Sequence, residues 1–125
     1  MKLEQQVVSL ELAKKMKELG FKQESLFYWI NREEIPGKTI WCLEFADEQK
    51  IDYLKKSNFD IISAYTVAEL GEMLPDHFHT QKSGVDYFIQ SQLPSQIALG
   101  HYEFSETEAD VRAKMLIYLK ENNLT

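Results

Sequence analysis

Apolar positions recur at helical spacing in two long stretches of the chain and at tighter spacing in several shorter ones. Leu12, Met16 and Leu19 fall at i, i+4 and i+7 while Lys14, Lys15 and Lys17 take the other faces, which predicts a helix over about residues 8–19 with Ser9 as its cap and Gly20 past its end. The C-terminal run SETEADVRAKMLIYLKENNL places Val111, Met115, Tyr118 and Leu119 on one face. Ser105 with Glu108 reads there as a capping box, and Asn122 and Asn123 suit the exit. A second capping box, Thr66 with Glu69, precedes Val67, Leu70, Met73 and Leu74, with Tyr65 and Leu70 at the two positions of a hydrophobic staple and Pro75 as the stop. That pattern predicts a short helix over 66–74.

Between these helices lie runs too short and too uniformly apolar to be helical. SLFYWI from Ser25 and TIWCLEF from Thr39 flank a linker with Ile35, Pro36 and Gly37, which predicts a hairpin with a fairly long loop. Leu26, Tyr28 and Ile30 line one face of its first strand, Phe27 and Trp29 the other, so this part of the sheet is either covered on both sides or presents one side to a partner. Val85 to Gln90 and Ile97 to Phe104 are two further strand candidates, separated by a linker with Pro94. Residues 46–58 are polar, with a helical turn around Ile51 and Leu54 capped by Asp47. The order α, β, β, α, β, β, α predicts an α+β fold. We expect one domain, 1–125, in which a mainly antiparallel sheet of about four strands packs with N-terminal, central short and C-terminal helices.

Length and composition allow this picture and remove others. A chain of 125 residues with 44% apolar and 27% charged residues can bury a core without disulfides or a structural metal. The formal net charge of −6 gives no general attraction to DNA, RNA or an anionic membrane. Cys42 is the single cysteine and lies in an apolar run, the pattern of a buried thiol in a reducing compartment. There is neither a secretory leader pattern nor an apolar stretch of roughly 20 residues, so the expected location is cytoplasmic, away from membranes.

Candidate chemistry is sparse. His77 and His79 share one side of an extended segment and, with Asp76 and His101, form a candidate metal cluster; the plainer reading is a polar loop after a helix. The carboxylates Glu33 and Glu34, Asp47 and Glu48, and Glu106, Glu108 and Asp110 read as solvated or helix-capping groups rather than an acid/base pair. No phosphate loop, dinucleotide fingerprint or nucleophile elbow is present, so catalytic residues are unassigned, no cofactor is implied, and enzyme is the weaker class.

The aromatic residues of the predicted strands are the better lead: Tyr28, Trp29, Trp41, Tyr87, Phe88 and Tyr102. Most are expected in the core, but any on an uncovered sheet face would form a binding platform. Base stacking needs cations alongside, and only Arg32 and Lys38 lie near the first hairpin. A protein partner, including a second copy in a homodimer, is therefore favoured over nucleic acid.

Three segments, QQVVSLELAKKMKELGFKQESLFYW from residue 5, SAYTVAELGEMLP from Ser63 and ETEADVRAKMLIYLKENNL from Glu106, resemble a family of small uncharacterised proteins of bacteriophages, prophages and related bacterial mobile elements. The resemblance covers about half of the chain and carries no catalytic residue. It implies an accessory protein that binds rather than turns over a substrate. Two alternatives stand beside that expectation: a metal-binding regulator or metal-dependent enzyme using His77 and His79, and an acidic decoy of a host nucleic-acid-binding protein.

Overall fold

In the computed structural model, which describes residues 2–32, 37, 39–76, 78–91 and 101–124, the apolar faces read from the sequence are buried by two separate three-stranded antiparallel sheets. The elements run α1 (Leu3–Gln6), α2 (Leu10–Glu18), β1 (Phe27–Asn31), β2 (Trp41–Phe45), α3 (Glu48–Lys56), β3 (Ile61–Ser63), α4 (Val67–Met73), β4 (Phe78–Ser83), β5 (Asp86–Ser91), β6 (Tyr102–Ser105) and α5 (Glu108–Glu121). The α+β class is as expected, but the described residues form six strands where four were expected, and residues 97–100 of the last predicted strand lie outside them. Both additions, β3 and β4, come from segments that carry no alternating pattern.

The first sheet has the order β2-β1-β3, with Phe27 opposite Phe45, and Tyr28 opposite both Glu44 and Ser63. Its two faces divide by parity as the sequence implied. Tyr28, Ile30 and Ile61 pack with Ala46 and Leu54 against α3, while Trp29, Trp41 and Ile62 turn to the main core. Helix α3 is a full nine residues, with the Asp47 side chain accepting from the Lys50 amide at 2.9 Å. Leu54 inserts its buried side chain into the sheet and so holds this amphipathic helix in place.

The main core is built around α5. Ala109, Val111, Ala113, Met115, Leu116, Ile117 and Leu119 are all buried, so apolar groups surround almost the whole helix. That distribution suits a helix enclosed by α2, α4 and the second sheet rather than one lying on a surface. Its start differs from expectation: Thr107, not Ser105, is the cap and accepts from the Asp110 amide at 3.1 Å. Ser105 belongs to β6, where it pairs with Tyr87, and Asp110 Oδ1 accepts from the Ser9 amide at 2.7 Å, joining the starts of α2 and α5. The Thr66–Glu69 capping box of α4 is formed as expected, each side chain accepting from the other residue's amide.

Candidate functional site

The second sheet has the order β4-β5-β6, and α5 packs on one side of it. On that inner side lie the buried Phe78 and Ile89, and Thr80, whose hydroxyl contacts Glu108 Oε2 at 2.5 Å. Alternation then sends His79, Gln81, Phe88, Gln90, Tyr102 and Phe104 to the outer side. Register places Phe88 directly opposite Phe104, with ring centroids 6.1 Å apart, and Tyr102 meets Phe104 edge to face at 5.2 Å. Tyr102 and Phe104 are 54% and 51% exposed, so two of three touching rings remain largely in water. Isolated exposed apolar residues are ordinary on a soluble protein; here the exposed rings form a contiguous aromatic cluster on one sheet face.

Of the aromatic residues singled out in the sequence, Phe88 and Tyr102 lie on this face and the other four do not. Tyr28 is 3% exposed, and its hydroxyl accepts from the Ser25 amide at 3.2 Å. Trp29 is half-buried and donates its indole N–H to the Val8 carbonyl at 3.0 Å. Trp41 packs beside the main core under the Lys14 ammonium, 5.1 Å from the ring centroid. Tyr87 packs against the main core on the inner side, with the Lys82 ammonium 6.0 Å from its ring. Phe104 is the residue that sequence reasoning left out; its i+2 spacing from Tyr102 was the available signal, because alternate residues of a strand share a face.

The histidines separate. His77 lies outside the described residues, and His79 is exposed on the outer face of β4. His101 stacks on Tyr118 of α5, centroids 3.5 Å apart and planes within 8°, with its Nε2 at 2.5 Å from Glu103 Oε2. His79 and His101 therefore sit on opposite sides of the sheet and do not share a ligand. Among the described residues, no three His, Cys, Asp or Glu side chains converge as a metal site. Cys42 is half-buried, opposite Ile30, rather than fully enclosed.

Among the described residues, two titratable groups are held well away from their ordinary values, and both move away from neutrality. Glu44 accepts from Arg32 at 2.6 and 3.0 Å and from Lys50 at 2.9 Å, and these hydrogen bonds hold its carboxyl down at about 2. Burial pushes the Tyr65 phenol up to about 12, and its hydroxyl donates to the Lys22 carbonyl. A general acid or base needs the opposite displacement, toward working pH. Both groups instead rest in the form that binds their neighbours: Glu44 fastens β2 to α3, and Tyr65 fastens the loop before β1 to the core. Of the carboxylates in the candidate pairs, Asp47 and Asp110 accept from helix-start amides and Glu108 meets Thr80, whereas Glu48 and Glu106 are exposed; Glu33 and Glu34 lie outside the described residues.

The fold and this face together define an α+β protein with an open aromatic sheet surface and no assembled reactive cluster among the described residues. None of the described helices is long and apolar enough to cross a membrane. Comparison of the chain with protein-family models, with curated proteins and with solved structures returns no match.

Proposed function

We propose that this is a non-enzymatic accessory protein of a phage-like or prophage-like gene set, acting in the cytoplasm by binding a protein partner on the outer face of β4-β5-β6. The observation that carries this reading is the touching trio Phe88, Tyr102 and Phe104, with two rings about half exposed and α5 occupied with the opposite face. Tyr and Phe in such a cluster supply large apolar area at little side-chain entropy cost, the composition of an interface centre. Nucleic acid is the weaker occupant, because the outward positions of the three strands in the described residues include no Lys or Arg to meet a phosphate.

The test compares wild type with Tyr102→Ser/Phe104→Ser, both exposed positions, in affinity capture with and without nuclease and in sedimentation at rising concentration. The expected result is a nuclease-resistant partner, or a dimer of the chain itself, reduced at least tenfold in the double variant. Recovery that nuclease abolishes would transfer the face to nucleic acid. Capture and self-association that are both unchanged in the variant would refute the assignment.

A further inference from the structure

At the first sheet, a second surface combines exposed apolar groups with unbalanced charge. Where β1 begins, β2 ends and α3 starts, Leu26 and Phe45 stand 54% and 58% exposed at the rim of an open groove of about 570 Å³, with Ile51 and the buried Tyr28 also in its lining. Glu24, Asp47, Glu48 and Asp52 line the same groove, and Lys55 is the only cation among the described residues that line it. A neighbouring groove of about 310 Å³ shares Glu24 and adds Glu69 and Glu72 around Met73 and Tyr65, with Lys22 as its cation. Glu69 also joins the two directly, since its Oε2 accepts from the Leu26 amide at 3.2 Å.

Six carboxylates against Lys22 and Lys55 leave this pair of grooves at −4, two thirds of the −6 carried by the whole chain. Lys22 is itself held by Glu24 at 3.3 Å. Lys50, close by, is committed to Glu44 and to the Phe45 carbonyl. A second copy of this chain would bring like charge to like charge, and an anionic polymer or lipid surface is repelled for the same reason. Leu26 and Phe45 add what a purely ionic surface lacks, an apolar anchor point between the acids.

From this combination we infer that the groove is a docking site for a cationic amphipathic segment of another protein, a stretch with one or two large apolar side chains flanked by Lys or Arg. The apolar anchor lies between Leu26 and Phe45 and supplies selectivity, while the carboxylates of Asp52, Glu48 and Glu24 receive the cations and speed encounter. This site is independent of the aromatic face of the second sheet, and either can fail without the other.

The test uses three labelled synthetic peptides of equal length: an amphipathic Lys/Leu sequence, a Lys/Ser sequence of the same charge, and a Glu/Leu sequence. Fluorescence anisotropy with the wild-type chain should give saturable binding for Lys/Leu, at least tenfold weaker binding for Lys/Ser and none for Glu/Leu. Leu26→Ser/Phe45→Ser should bring Lys/Leu down to the Lys/Ser level. Glu48→Gln/Asp52→Asn, which leaves the Asp47 cap intact, should weaken Lys/Leu at least threefold and flatten its salt dependence. Circular dichroism checks that each variant is folded, and the charge variant keeps the test decisive if the apolar one is not. Equal binding of Lys/Leu and Lys/Ser would reduce the groove to general charge attraction and overturn the inference. So would Lys/Leu binding that neither variant alters, absence of saturable binding, or self-association of the wild type that Leu26→Ser/Phe45→Ser abolishes.

Discussion

Gly71 sits inside α4, a position where alanine ordinarily stabilises a helix by about 0.8–1 kcal/mol. Here the gain is opposed by one neighbour. A Cβ on Gly71 would lie 2.5 Å from Arg112 Nη1, 0.9 Å inside the 3.4 Å at which ordinary contact begins. The guanidinium is a flexible end, but it is held: Nη1 donates to the Val67 carbonyl at 2.8 Å, and Nη2 lies 3.3 Å from Thr80 Oγ1 and 3.8 Å from Glu108 Oε2. Retreat by nearly an ångström is enough to lose the bond to Val67, and a charge-assisted hydrogen bond is worth about 1.5–3 kcal/mol. Gly71→Ala should therefore cost about 0.5–2 kcal/mol in the wild-type background. In an Arg112→Met background the same substitution should stabilise by about 0.8–1 kcal/mol, giving a coupling of about 1.5–3 kcal/mol. Urea unfolding of the four proteins closes the cycle. Equal effects of Gly71→Ala in both backgrounds would show that Arg112 does not restrain α4.

Two further outcomes follow from the first sheet. Glu44 is ionised far below the usual carboxylate range by Arg32 and Lys50, so its stabilisation is complete above about pH 5 and is lost as pH falls toward about 2. With solvent screening of this partly exposed network, Glu44→Gln should cost about 1 kcal/mol at pH 7 and nothing below about pH 2; a difference constant with pH in denaturant titrations would refute the assignment. Leu54→Ala should cost about 3–5 kcal/mol and deprotect α3 amides in hydrogen exchange before those of α5, because Leu54 belongs to the smaller cluster on the α3 side of the sheet. Simultaneous loss of protection in α3 and α5 would mean that the two clusters unfold as one.

What the sequence revealed was local, and what it hid was pairing. The Thr66–Glu69 cap, the Ser9 start of α2 and the apolar stripe of α5 depend on neighbours within a turn or two, and each stands where its spacing put it. At the start of α5 the spacing pointed to Ser105 with Glu108, whereas Thr107 is the residue that caps the helix. Strand pairing of Ser105 with Tyr87 decided between them. Strand β3 is three residues long and buried throughout, too short to show a period. Strand β4 reads as polar because its outer positions, His79 and Gln81, face water; it is a strand through its backbone pairing to β5. The aromatic surface was half legible. Tyr102 and Phe104 alternate with Glu103 and Ser105 as a core-facing strand would, yet Glu103 is the one that turns inward to His101. The acidic groove was not legible at all, since Glu24, Asp52 and Glu72 come together only through the fold.

The central helix α5 also sets the timetable of synthesis. Val8, Met16, Ile62 and Ile89 all belong to the cluster that it completes, and all precede it in the chain. At about 5–20 residues per second, a ribosome needs on the order of several seconds to pass from Ile62 to Leu119. During that interval the nascent chain carries apolar sheet that is only partly covered, by α2 on β3. The main core is therefore completed late, once α5 has emerged. A message cut shortly before codon 108 yields a fragment that invites chaperones or aggregation rather than a smaller working protein.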